Sequence, residues 1–155
     1  MTLGTLCYIR KRDSTLLLHR TKKNSDSMKG YWIGLGGRVK IEDGESPEEC
    51  VTREVREESG LVIKPTLRGI VTFRHIEPDI EDWYAYLFTA SQFHGRIIDS
   101  NEGDLEWISD NQLHRINIPE GDRHFLRWLR QDNRIFSAKF EYKNKKLIRH
   151  TVIYY

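Results

Sequence analysis

Short apolar-rich runs at residues 3–10 and 15–20 flank a polar stretch at 11–14, which predicts two strands joined by a turn. Residues 21–36 lose that pattern, being rich in Lys, Asn, Ser and Gly, and run into Gly30-Tyr-Trp-Ile-Gly-Leu-Gly-Gly37, so they read as a loop. Over residues 47–59 the spacing becomes helical. Residues 67–77 and 83–91 then read as strands around an acidic loop at 77–82, with a short strand at about 104–108. Ser109 followed by Gln112 has the form of a capping box opening a short helix. Pro119 opens a further helix with Phe125, Leu126, Trp128 and Leu129 as its apolar face. Residues 135–142 and 147–155 close as a β-hairpin. Helices inserted among strands predict an α/β (α+β) chain, an α/β/α arrangement around a mixed β-sheet. Without repeats or linker-like segments, residues 1–155 are expected to form one domain.

The helix at 47–59 has defined ends. Ser46 is an N-cap, Pro47 suits the first helical position, Glu49 completes a capping box, and Gly60 is the expected stop. Glu54, Glu57 and Glu58 fall at i, i+3 and i+4 and share one face; Val51 and Val55 lie beside it, and Glu49 and Arg56 point away. Like charges at that spacing cost roughly 0.2–0.5 kcal/mol per exposed pair. Glu57 and Glu58 also occupy the last turn, where the helix dipole disfavours an anion by about 0.3–1 kcal/mol each. Stability alone would place Lys or Arg there. A solvated acidic face partnered by Arg53 and Arg56 is the simpler reading of these residues in isolation; a hard cation held against phosphates is the reading that explains the charge at the helix end.

Composition narrows the classes. The hydrophobic fraction of 38% with 31% charged residues is ordinary for a globular chain. No run of about 18 apolar residues is present, and the first residues read as a strand rather than a leader, so a cytoplasmic protein without membrane association is expected. A net charge of +2 gives no basis for stable nucleic-acid binding. Basic clusters occur at residues 10–12, 20–23 and 143–146. The last reads as a solvated hairpin turn; the second, with Lys23, lies in the loop before the glycine motif and reads either as solvated surface or as a contact for a polyanionic substrate. Cys7 and Cys50 read as buried, reduced thiols; Cys50 precedes Glu54 by one turn, but Mg²⁺ takes oxygen ligands.

The chain from Gly37 to Leu61 closely resembles the Nudix box, Gly-x5-Glu-x7-Arg-Glu-U-x-Glu-Glu-x-Gly-U with U apolar. Glu45, Arg53, Glu54, Val55, Glu57, Glu58, Gly60 and Leu61 fill it in register. Seven residues rather than five separate Gly37 from Glu45, so the loop between them carries two extra. Gly30-x-Trp32, Ser100-Asn-Glu102 before Trp107, Pro119-Glu120 before Phe125 and the terminal hairpin are similar to the MutT-like 8-oxo-dGTP diphosphatase branch of the Nudix hydrolases. The resemblance implies a Nudix-type fold and metal-dependent hydrolysis of a nucleoside diphosphate linked to a further group. In this branch the expected substrate is an oxidised purine triphosphate, split to monophosphate and pyrophosphate in nucleotide-pool sanitising.

The resemblance also implies roles. Glu54, Glu57 and Glu58 would bind Mg²⁺, with Mn²⁺ as a substitute, completed by Glu102 and the carbonyl of Gly37. Arg53 and Glu45 would orient them. Glu57 is the first candidate for general base and Glu102 the second. Trp32, Phe73 and Phe125 are candidate walls for a base, each also readable as core, and Glu120 is a candidate partner for its edge or a plain acid at a helix N-terminus. Ile33 stands where some relatives read the base with Asn, and Gly121 where they carry a second acid. ADP-ribose, a dinucleoside polyphosphate or a capped RNA end remain alternative substrates. A catalytically silent nucleotide-binding regulator is the alternative of a different class. The assembly expected is a monomer or a homodimer.

Overall fold

The computed structural model describes residues 1–24 and 26–155. Its strands are β1 (Thr2–Lys11), β2 (Ser14–Arg20), β3 (Trp32–Ile33), β4 (Leu61–Ile63), β5 (Thr66–His75), β6 (Trp83–Ala90), β7 (Phe93–Gly95), β8 (Gly103–Ser109), β9 (Phe136–Lys143) and β10 (Lys146–Tyr154). Its helices are α1 (Pro47–Ser59) and α2 (Glu120–Gln131), with 3₁₀ turns at Ile41–Asp43 and Asp110–Arg115. The strands form an eight-stranded sheet in the order β10-β9-β5-β6-β1-β2-β3, with β8 pairing β2, and a separate β4–β7 pair. The large sheet is mixed: β1 runs parallel to β6 and β5 parallel to β9, while the hairpins β1–β2 and β9–β10 are antiparallel.

The two faces of the sheet bury separate clusters. On one side Tyr8, Leu17, Val71, Leu87 and Phe140 pack against Phe125, Leu126, Trp128 and Leu129 of α2. On the other, Cys7, Ile9, Leu16, Leu18, Leu35 and Phe88 pack against Val51 and Val55 of α1. Among the described residues no helix is long and apolar enough to cross a membrane.

One irregularity positions the glycine motif. β1 and β2 pair only near their turn, from Ile9↔Leu16 to Lys11↔Ser14, and then splay apart. The segment after β3 fills the gap. β3 pairs β2 at Leu18↔Ile33, while Leu35 and Arg38 bridge to Cys7 and Gly4 of β1. Backbone bonds from Thr5 N–H to Gly37 O (2.8 Å) and from Val39 N–H to Leu3 O (3.0 Å) hold it there.

The expected α1 is observed with both ends as read. Glu49 N–H donates to Ser46 Oγ (3.1 Å), Ser46 N–H donates to Glu49 Oε2 (2.8 Å), and Gly60 closes the helix in the left-handed region. The second capping box does not form. Ser109 Oγ bonds Asn111 Oδ1 (2.6 Å) instead of a backbone N–H, and the residues after it make a 3₁₀ turn. The strands β3, β4 and β7 were not expected; at two or three residues they carry no period.

The start of α2 is fastened to the sheet by polar groups. Tyr142 Oη accepts from Gly121 N–H (2.8 Å), and Tyr8 Oη donates to Asp122 Oδ2 (3.4 Å). Asp122 is 6% exposed, and burial pushes its carboxyl up to about 7. An acid whose folded-state pKa is raised binds an extra proton in the folded state, so its contribution is lost as pH climbs from its ordinary value to the raised one. Asp122→Asn is therefore expected to stabilise the protein at pH 8, by up to about 4 kcal/mol, with no such gain at pH 4. Urea unfolding at the two pH values reads the difference.

Candidate metal and nucleotide site

Arg53, in the middle of α1, organises the acidic face. Its Nε donates to Glu45 Oε1 (2.6 Å) and its Nη2 to Glu45 Oε2 (3.1 Å), a two-pronged pair. Its Nη1 donates to Glu54 Oε1 (2.7 Å) and reaches Glu57 Oε2 (3.3 Å). The Arg53 hydrogen bonds hold the Glu45 carboxyl down to about 2. Glu45 Oε2 also accepts from Lys40 N–H (2.8 Å). The loop with the two extra residues folds back on itself through that bond and through the 3₁₀ turn Ile41–Asp43, closed by Gly44 N–H to Ile41 O (3.0 Å). The insertion is thus taken up locally, with Glu45 still on Arg53.

The glycine segment lies directly against the glutamates. Gly36 has φ +150°, and a Cβ there would stand 2.0 Å from Thr5 O, so only glycine fits. A Cβ on Gly37 would meet the Glu54 carboxyl carbon at 2.4 Å. Gly36 N–H donates to Glu58 Oε1 (3.1 Å).

Glu58 is pushed up to about 8, chiefly by burial and further by Glu102 and Glu54, with Gly36 N–H and Arg20 opposing. Glu54 is also raised, by burial first and then by Glu57 and Glu102, against Arg53. Glu57 is exposed. Glu102, from the loop before β8, is thus carried close enough to act on both Glu54 and Glu58. Arg20 (3.4 Å) and Lys23 (3.8 Å) pair with it. Arg20 is shared with Asp26 at 2.6 Å.

The carboxylates are neighbours without closing on a common point: among the described residues no three Asp, Glu, His or Cys side chains stand in a coordinating group. Their chemistry nonetheless suits a hard divalent cation. Oxygen donors are crowded against a tight glycine turn, and burial together with neighbouring carboxylates raises Glu54 and Glu58 above the usual carboxylate range. Cys50 is fully buried beside them, with Sγ directed at Arg38 O (3.4 Å) and its thiol pushed up by burial.

The expected base-binding residues divide. Trp32 is half-buried on the α2 side and stacks on His19 with centroids 4.3 Å apart; His19 carried no signal in the sequence. Phe73 is half-buried on the same side, and Glu120 is exposed at the first position of α2. Phe125 does not serve as a wall: it has no exposed surface and lies between Tyr8, Phe73 and Phe140 in the core. Ile33 turns to the opposite face from Trp32, because side chains alternate along β3, and packs in the α1-side cluster. A side chain at Gly121 would strike Tyr142 Oη at 2.5 Å, which excludes an acid there while that contact stands.

Residues 2–129 match the NUDIX domain family. The chain belongs to the Nudix hydrolases. It is similar to the Nudix hydrolase YvcI of Bacillus subtilis (strain 168), with 32% identity over 89% of this chain and 85% of that protein. It is 28% identical, over 77% of this chain and 74% of that one, to the oxidized purine nucleoside triphosphate hydrolase of Mus musculus. A crystal structure of the MutT protein from Bacillus halodurans superposes with a TM-score of 0.87 at 26% identity, covering 98% of this chain and 97% of that one. This Nudix hydrolase therefore acts on phosphoanhydride bonds of nucleotides, in a family that generally uses divalent metal ions.

The crowding at Gly37 gives a direct test. Gly37→Ala is expected to displace Glu54 and weaken Mn²⁺ binding by about tenfold or more, read by electron paramagnetic resonance, with the α1 circular dichroism signal unchanged.

Proposed function

We propose that this Nudix hydrolase is a Mg²⁺-dependent diphosphatase that splits oxidised purine nucleoside triphosphates, 8-oxo-dGTP foremost, into monophosphate and pyrophosphate. The observation carrying the chemistry is the juxtaposition of Glu54, Glu58 and Glu102 with the Gly36–Gly37 turn, in which burial and mutual repulsion raise Glu54 and Glu58 together. The substrate reading is supported by likeness to the mouse oxidized purine nucleoside triphosphate hydrolase and to a bacterial MutT protein.

In this reading Glu54, Glu57, Glu58 and Glu102, with the carbonyl of Gly37, hold the metal. A divalent cation held there would neutralise phosphate charge and lower the pKa of a water. Arg53 fixes Glu45 and Glu54 and keeps the first turns of α1 oriented. Lys23, more than half exposed beside Glu102, meets the phosphates. Glu57, exposed and held by one long bond to Arg53, takes the proton of the attacking water, with Glu102 as the second candidate. Trp32 and Phe73 flank the base, and Glu120 accepts from its edge.

A panel of nucleotides with Mg²⁺ tests both parts. The value of kcat/KM for 8-oxo-dGTP is expected to exceed those for dGTP, ADP-ribose and dinucleoside polyphosphates by about tenfold or more, with pyrophosphate as product. Glu57→Gln is expected to lower kcat by about 100-fold while the fold survives. Equal turnover of 8-oxo-dGTP and dGTP removes the substrate assignment; full activity of the variant removes Glu57 from the mechanism.

A further inference from the structure

A cleft of about 660 Å³ opens at the far end of the large sheet, where β1 and β6 end, β5 begins and α2 finishes. Its volume is in the range of small-molecule sites. None of the candidate metal or nucleotide residues lines it. The floor is apolar, from Leu126 and Leu129 of α2, and its charged groups are Arg10, Arg68, Arg130 and Asp110.

Those charges do not balance. Asp110 serves two arginines at once, Arg10 at 2.6 Å and Arg130 at 3.5 Å. Arg68 is held by neutral oxygens: Leu129 O at 3.1 Å, Asp132 O at 2.6 Å and Thr89 Oγ1 at 3.3 Å. The nearby Asp132 carboxylate is engaged by Arg134 at 2.6 Å. The cleft thus holds three guanidinium groups against one carboxylate. A half-buried guanidinium bound only to carbonyls and a hydroxyl carries a desolvation cost that an anion would relieve. Burial lowers the pKa of Arg68, with the Asp132 carboxylate opposing.

We propose that this cleft is a second ligand site, separate from the hydrolytic one, that takes a small organic phosphate monoester: the phosphate between Arg68 and Arg130, the apolar body on Leu126 and Leu129. The surplus of two positive charges matches a phosphate dianion better than a carboxylate. Planar guanidinium forks bind phosphate oxygens two at a time, and the leucines give an organic phosphate an advantage over inorganic phosphate.

The test uses the whole chain without added divalent metal, so that the glutamate site does not gather anions. Butyl phosphate, butyrate and inorganic phosphate are each titrated while the arginine Nε–Hε resonances are followed. Butyl phosphate is expected to shift those of Arg68 and Arg130 saturably, and to bind more tightly than either other probe. Arg130→Gln, at the rim of the cleft, is expected to weaken it by about tenfold. Asp110→Asn, which removes the competing carboxylate, is expected to tighten it; this gain of binding does not depend on a weakened variant staying folded. Glu58→Gln is expected to leave the affinity for butyl phosphate unchanged. Butyrate binding as tightly as butyl phosphate, unchanged affinity in both cleft variants, or shifts confined to residues around Gly36 and Glu58 would each overturn the proposal.

Discussion

Arg53 stands among more negative charge than it can neutralise. It binds Glu45 with two prongs, takes one oxygen of Glu54 and reaches toward Glu57, while Glu58 is left to a backbone N–H. The ordering of the site follows from that shortage. Glu45, satisfied first, is pinned as a carboxylate and ties down the loop leading into α1. Glu54 and Glu58, with fewer donors to offset their burial, are raised above the usual carboxylate range. The balance of donors against burial at each carboxyl therefore separates Glu45, held low, from Glu54 and Glu58, which are raised.

The sheet makes that crowding sustainable. Because β1 and β2 splay beyond Ile9 and Leu16, residues 35–39 bond to β1 through isolated bridges and carry Gly36 and Gly37 against the acidic face of α1. The cost of gathering anions at the C-terminal end of a helix falls on local side-chain contacts. Val51 and Val55 are meanwhile anchored in the core and the helix is capped at both ends. A capped helix with a crowded acidic face is thus set against a backbone turn that only glycine can make.

What could be read from the sequence is what is encoded locally. The capping box at Ser46 and the stop at Gly60 fix α1 to the residue, and the i, i+3, i+4 spacing of its glutamates needs no tertiary information. The parallel pairing of β1 with β6 and of β5 with β9 joins strands far apart in sequence, and nothing in either run names its partner. Phe125 has the same chemistry as a ligand wall or as core, and only the positions of Tyr8, Phe73 and Phe140 around it decide for core. Ser109 had the right spacing for a cap, but its hydroxyl found Asn111. Asp122 looks like any acid in a helix first turn; its burial against Tyr8 follows from how α2 meets β1. The two extra residues before Glu45 are visible in the sequence, whereas their closure into a 3₁₀ turn is a matter of φ and ψ.

The glutamate cluster, as proposed, is destabilising alone and is stabilised by a divalent cation. Urea unfolding of the wild type and of Glu58→Gln at pH 7.5, each with and without Mg²⁺, tests it most directly. Without metal the variant should be the more stable, by about 1–3 kcal/mol, because a crowded and buried carboxyl has become a neutral amide that still accepts from Gly36 N–H. Mg²⁺ should then stabilise the wild type and leave the variant nearly unchanged. A metal-free variant less stable than the wild type, with Mg²⁺ stabilising both equally, would contradict the account.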